Sequence, residues 1–165
     1  MIKKKVCMLG AFAVGKTSLV EQYVRSIFSE KYHTTVGVKI DKKQIFVKKT
    51  DMTIILWDIH GKDAFQDIRT SYLRGASGCI YVVDGTRAET LPVAQDLIQM
   101  VESEIGNVPY VIAFNKSDIF ESWEIDPKVI DQYSNSGKIA LRTSAKNNEG
   151  VEKAFFSLAE RLLEY

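Results

Sequence analysis

The feature that most constrains this chain lies near its front. A short apolar run, Val6-Cys7-Met8-Leu9, leads directly into Gly10-Ala11-Phe12-Ala13-Val14-Gly15-Lys16-Thr17, and a segment with helical periodicity, Lys16 to Arg25, follows at once. The order is strand, glycine-bounded loop, helix, and the loop fits G-x-x-x-x-G-K-[ST] without a mismatch. In that setting the backbone N–H groups of Ala13, Val14, Gly15, Lys16 and Thr17 converge on phosphate oxygens at a helix N-terminus. Lys16 neutralises the outer phosphates, and the Thr17 hydroxyl is a ligand for Mg²⁺. Taken alone, this loop suits an adenylate kinase or an ATPase equally well.

The rest of the chain alternates in the same way, with no internal repeat, low-complexity tract or Pro/Gly/Ser-rich linker. Strand-like runs are expected at Lys39 to Val47, Met52 to Asp58, Cys79 to Val83, Tyr110 to Phe114 and Ile139 to Leu141. Helical segments are expected at Leu91 to Ile105, Pro127 to Tyr133 and Val151 to Leu163. Lys48-Lys49-Thr50-Asp51 joins the first two of these runs as a short polar connection suited to antiparallel neighbours. The earlier of the two runs carries several lysines, a device that protects a sheet edge. The pattern reads as an α/β domain with six strands and about five helices. Val151, Phe155, Leu158 and Leu162 recur at spacings of three and four, the signature of a helix face packed on a core.

Composition narrows the class further. The 165 residues carry 22 Lys+Arg against 21 Asp+Glu, a formal net charge of +1, which gives no support to polyanion or nucleic-acid binding driven by bulk charge. A chain of this length buries about 70% of the surface its unfolded form exposes, so it needs no disulfide or structural metal. Cys7 and Cys79 both sit in apolar runs and read as buried, inert thiols in a reducing setting. The N-terminal apolar run is too short for a signal peptide, and no stretch approaches the length of a membrane span. Neither the start nor Arg161-Leu162-Leu163-Glu164-Tyr165 offers a myristoylation or prenylation signal, so the expectation is a cytoplasmic monomer without a lipid anchor.

A second motif separates the nucleotide options. Asn115-Lys116-Ser117-Asp118 follows the run Tyr110 to Phe114 directly and so falls at the C-terminal edge of the sheet, where ligands of such folds bind. A carboxylate only accepts, and guanine offers two adjacent donors, a ring N–H and an exocyclic amine, that adenine lacks. Asp118 therefore selects guanine. Ser144-Ala145-Lys146, just after the last strand, closes the base pocket from the other side with a backbone N–H aimed at the guanine carbonyl.

At this point the chain resembles the small Ras-like GTPases, the Rab branch most of all, over practically its full length. The resemblance rests on Gly10 to Thr17, Thr34-Thr35-Val36-Gly37, Trp57-Asp58-Ile59-His60-Gly61, Ser71-Tyr72-Leu73-Arg74-Gly75-Ala76, Asn115 to Asp118 and Ser144 to Lys146. It implies the P-loop NTPase fold, a six-stranded, mainly parallel sheet with one antiparallel edge strand and helices on both faces. It implies GTP/GDP and Mg²⁺ as ligands, with Ser18, Asn115, Lys116, Ala145 and Lys146 among the nucleotide contacts. It further implies that Thr35 is a mobile metal ligand, that Asp58 holds the metal through water and that the Gly61 N–H meets the γ-phosphate. Phe28 would pack beside the base or ribose, and Tyr32 would lie over the phosphates. Loops at about Ser29 to Val38 and Ile59 to Leu73 would be ordered by GTP and released with GDP. Ile40, Trp57 and Tyr72 occupy the apolar positions that partners read in the Rab pattern, so effectors, an exchange factor and an activating protein are the implied partners.

Three departures from that pattern stand out. Where relatives place a Gln that orients the attacking water, this chain has Lys62, whose ammonium donates but cannot accept. Where many relatives carry a small residue in the phosphate loop, it has Phe12, bulky enough to obstruct an arginine finger. Slow hydrolysis is the expectation, with Lys16, Gly61 and Lys62 as the residues nearest the chemistry. The third departure is the lack of a lipidated tail, which fits either a trimmed chain or a protein, such as a bacterial Ras-like GTPase, that works without membrane cycling. The two histidines, His33 and His60, read as solvated loop residues rather than bases. Two alternatives stay open: a GTP-bound interaction module that does not hydrolyse, and an ATP-dependent kinase, which would leave Asp118 without a purpose.

Overall fold

The computed structural model describes residues 1–28, 37–60 and 69–165. Six strands, β1 (Ile2–Gly10), β2 (Val38–Val47), β3 (Thr50–Ile59), β4 (Gly78–Asp84), β5 (Tyr110–Asn115) and β6 (Ile139–Arg142), form one sheet in the order β2-β3-β1-β4-β5-β6. Every neighbouring pair is parallel except β2 with β3. Among the described residues there are four α-helices, α1 (Lys16–Arg25), α2 (Thr90–Ile105), α3 (Lys128–Asn135) and α4 (Val151–Leu162), and two 3-10 segments, Thr70–Leu73 and Ser117–Ser122. No helix among these residues is long and apolar enough to cross a membrane.

The helices divide between the two faces of the sheet as the alternation of its side chains requires. Val6 and Met8 of β1 face one core with Leu19, Val20 and Tyr23 of α1 and Ala154, Phe155, Leu158 and Leu162 of α4. Cys7 and Leu9 face the other, against Leu97, Ile98 and Val101 of α2 and Ile130 of α3. On the first face the rings of Tyr23 and Phe155 stack at 3.9 Å, which fixes α1 against α4. The apolar stripe of the last helix is core, since Val151, Phe155, Leu158 and Leu162 are all buried.

Several element ends differ from the sequence expectation, each for a reason in the tertiary pairing. The first strand starts at Ile2 rather than Val6, because Ile2 to Lys5 pair in register with Met52 to Ile55 of β3. The connection between β2 and β3 is only Lys48-Lys49, both at positive φ (47° and 64°), while Thr50 and Asp51 already pair with Val47 and Phe46. Two left-handed residues make the tight turn whose twist suits a hairpin. The third α-helix begins and ends about a turn's fraction later than its pattern suggested, at Lys128–Asn135.

β1 is central, with β3 on one side and β4 on the other, so consecutive connections leave its C-terminal end in opposite directions. A crevice opens at such a switch point, outside the carboxyl ends of the strands. The loop after β1, the end of β4, the loop after β5 and the loop after β6 all meet there.

Candidate functional site

The loop from Gly10 to Gly15 turns the chain from β1 into α1 with Ala13 and Gly15 both at positive φ, 61° and 104°. Gly15 is the N-cap of α1, and the helix opens with Lys16, Thr17 and Ser18, whose N–H groups belong to the unsatisfied first turn. Lys16 is buried and folds its ammonium back over the loop, donating to the carbonyls of Gly10 (3.1 Å) and Ala11 (2.9 Å). Burial lowers its pKa to about 8, against the pull of the nearby Asp58 carboxylate and with a further push from Arg87. Such a lysine gains by exchanging backbone carbonyls for anionic phosphate oxygens.

Beside it, the Thr17 hydroxyl donates to Oδ2 of Asp58 at 2.5 Å, and Asp58 is buried near the end of β3. A hydroxyl and a carboxylate brought to one point are a hard oxygen donor pair, the chemistry Mg²⁺ selects. These residues fit the ion that the phosphate loop implies. Thr35, Tyr32, Gly61 and Lys62, which the resemblance places around the same phosphates, lie outside the described residues, as does His33.

The base-side motif is locked to the phosphate loop by its own side chains. Asn115 ends β5 and donates its amide to the Val14 carbonyl at 3.0 Å, while its amide oxygen accepts from the Thr143 hydroxyl at 3.1 Å. Lys116, at φ 71°, donates to the Ala13 carbonyl (3.3 Å) and pairs with Asp84 at 2.8 Å. The indole of Trp123 donates to the Lys116 carbonyl at 3.0 Å, and its ring lies where a Cβ on Gly85 would be, which makes glycine necessary at 85. Asp118 accepts from the Ser144 hydroxyl at 2.8 Å, and Ser144 in turn accepts from the Asn147 N–H. One carboxylate oxygen of Asp118 is thus anchored from the S-A-K loop. That loop is closed by reciprocal backbone bonds between Ser144 and Glu149 and tied to α1 by Gln22 donating to the Ala145 carbonyl. Lys146 is exposed beside it.

Of the residues singled out from sequence, Ala13 to Ser18 lie on the loop after β1 and the first turn of α1, Asp58 near the end of β3, Asn115, Lys116 and Asp118 at the end of β5 and just after it, and Ser144 to Lys146 after β6. Phe28 stands partly exposed just beyond α1. Ile40, Trp57 and Tyr72 come together at the sheet's edge. Ile40 is paired with Trp57 across β2 and β3, Trp57 lies 6.3 Å from the Tyr72 ring, and Ile40 is exposed. The Lys5 ammonium covers the Trp57 ring at 3.6 Å. His60 is half-buried, with its ring edge-on to Phe12 at 6.4 Å, so packing joins solvent as its environment.

Sequence reading passed over Asp84 and Arg87. Asp84 is fully buried at the end of β4 and accepts from Thr86 N–H, Thr86 hydroxyl, Arg87 Nε and Lys116. Burial pushes its carboxyl up, but the bonds from Lys116, Thr86 and Arg87 outweigh that and hold it below its usual range. The available signal was an acid closing a wholly apolar strand, a position that demands partners.

Comparison with known proteins agrees with this geometry. The model of the Ras family matches residues 5–164. The chain is 34% identical to the Ras-related protein Rab-7L1 of Rattus norvegicus, an alignment covering 96% of this chain and 81% of that protein. It is 32% identical to the Ypt/Rab-type GTPase Rab7 of Gibberella zeae, over 96% of this chain and 82% of that protein. A phosphate-loop motif wired to the Asn115 to Asp118 segment, in a chain matched almost end to end, leads to one conclusion: the protein belongs to the Ras family of small GTPases, which act as GTP/GDP switches.

Proposed function

We propose that residues 1–165 form a single guanine-nucleotide domain that hydrolyses GTP slowly and presents an apolar face to effectors. The observation that carries the nucleotide reading is the joint held by Asn115 and Lys116, which bond the Val14 and Ala13 carbonyls from the same strand end that delivers Asp118. Base recognition and phosphate binding are one rigid construction. In this reading Asp118 accepts from the guanine ring N–H and amine, and Ala145 and Lys146 close the pocket beside Ser144. Phe28 flanks the base or ribose, and the first turn of α1 through Ser18 receives the phosphates. Thr17, Thr35 and Asp58 would hold Mg²⁺, which supplies charge neutralisation at the phosphates. Tyr32, Thr35 and Gly61 would report the γ-phosphate.

Two residues support a low rate. Lys62 donates without accepting, so it does not orient a water as a Gln amide does. Phe12 is exposed on the phosphate loop beside His60, where an activating protein's arginine would enter. The Ile40, Trp57 and Tyr72 cluster supports effector binding, the exposed Ile40 standing beside a tilted ring pair whose Trp57 also carries the Lys5 ammonium.

Single-turnover hydrolysis of loaded Mg·GTP, with Lys62→Gln and Phe12→Gly alongside, tests the reading. Slow wild-type turnover that Lys62→Gln raises at least about tenfold, a change of about 1.4 kcal/mol in the barrier, supports it. A wild-type rate equal to that of the Gln variant overturns the slow-hydrolysis part. A wild type that holds GTP indefinitely, with a variant that turns over, identifies the non-hydrolysing interaction module instead.

A further inference from the structure

We infer that Asp84 and Arg87 are positioning residues that orient the phosphate-binding loop and so set how long nucleotide stays bound; the inference rests on the guanine-nucleotide reading above. The Arg87 guanidinium bridges two groups, donating through Nε to Asp84 Oδ2 at 3.0 Å and through Nη2 to the Phe12 carbonyl at 2.7 Å. Lys116 does the same from the other side, between Asp84 Oδ2 and the Ala13 carbonyl. A single buried carboxylate therefore holds two cations, and those cations grip two consecutive carbonyls of the loop. The next carbonyl, of Val14, is gripped by Asn115.

The consequence follows from peptide geometry. In a planar trans peptide the N–H points opposite to the C=O. Holding the carbonyls of Phe12, Ala13 and Val14 from behind aims the N–H groups of Ala13, Val14 and Gly15 to the other side, toward the site where phosphates bind. Arg87 governs the first of these three peptides, and Asp84 governs Arg87 and Lys116 together. The two sides of Asp84 are not equivalent: Oδ1 is taken by the N–H and hydroxyl of Thr86, which fixes the carboxylate plane, while Oδ2 serves both cations. A planar fork is needed to span carboxylate and carbonyl at once, which a lysine at 87 does not supply.

The test is the release of a fluorescent GDP analogue from the full chain in Mg²⁺, chased with excess GDP. Arg87→Ala is expected to speed release by about tenfold or more, the scale of one hydrogen bond to a charged group. Asp84→Asn is expected to speed it further, and Arg87→Lys to recover less than half of the loss on a logarithmic scale. Because Asp84 acts through Arg87, the double variant is expected to release GDP within about threefold of Asp84→Asn alone, whereas two independent structural injuries would multiply. Release from Arg87→Ala within twofold of wild type, or a double variant equal to the product of the singles, overturns the inference. If Asp84→Asn does not fold, Arg87→Ala and Arg87→Lys decide it. A wild type that binds no GDP overturns the nucleotide reading itself.

Discussion

Gly15 and Asn115 occupy adjoining space: a Cβ on Gly15 would run into the Asn115 amide nitrogen, the same atom that donates to the Val14 carbonyl. The residue also has φ 104°, a conformation L side chains rarely adopt. Gly15→Ala therefore strains the loop and displaces the group that joins it to the base motif. A left-handed alanine alone costs about 1–2 kcal/mol. Calorimetric titration of GDP is expected to show affinity reduced by roughly tenfold or more, and Asn115→Ala to give a loss of similar size.

Asp118→Asn replaces an acceptor-only group by one that also donates. In the proposed pocket one of the two bonds from guanine is replaced by a donor facing a donor and the other loses its charge, where a bond to a charge is worth about 1.5–3 kcal/mol. GDP affinity should fall by at least about 100-fold. Xanthosine diphosphate, which carries a carbonyl in place of the amine, should bind the variant better than GDP does. Ser144→Ala, which releases the carboxylate from its anchor at 2.8 Å and the Asn147 N–H from its acceptor but leaves the carboxylate in place, should cost about tenfold or less. Competition between the two diphosphates measures all three effects.

Asp84 also makes an acid-side prediction. Its folded-state carboxyl titrates below the ordinary range, so its contribution to stability is present above the unfolded value, about 3.9, and is lost as pH falls through the lower folded value. Denaturant midpoints of wild type and Asp84→Asn should differ by a constant amount from pH 5 to 7. The gap should narrow below about pH 4. A gap that keeps its size down to pH 3 would contradict the ion-paired carboxylate.

Cys7 and Cys79 face each other in register across β1 and β4, both fully buried and both free. Burial pushes the Cys7 thiol up to about 11, despite the pull of Lys5, and burial with its neighbour Cys7 pushes Cys79 higher still. Neither should react with a water-soluble disulfide reagent at pH 8 within an hour while the protein is folded. Both should react at once in denaturant, and counting thiols released in the two conditions checks this.

The motifs of the candidate site were readable in advance because each is local. Gly10 to Thr17 sets the five N–H groups of Ala13 to Thr17 and the Lys16 ammonium on one short loop and helix start, and Asn115 to Asp118 sets four side chains at the C-terminal end of β5. The fold class was readable for a related reason: period-two and period-3.6 apolar patterns decide which side of each element meets the core. Where pairing rather than pattern fixes an element, sequence fell short. Ile2 to Lys5 look like a charged preamble and are strand because β3 offers them partners. Lys48 and Lys49 hold a two-residue turn at positive φ that their side chains do not advertise.

The amino-acid sequence by itself determined the alternation of strands and helices, the phosphate-loop motif, the position of the Asp118 carboxylate proposed to select guanine, and the odd residues Phe12 and Lys62, since each is a property of a few neighbouring residues. Only the tertiary structure decided that Asp84 and Arg87 stand behind the phosphate loop, that Trp123 takes the space denied to a side chain at 85, and that Ser144 anchors Asp118. These relationships join residues 26 to 75 positions apart, such as Asp118 with Ser144 and Phe12 with Arg87. Such contacts exist because a central β1 gathers four strand ends at one crevice, and a carboxylate buried there must find its cations from whatever loops the sheet brings beside it.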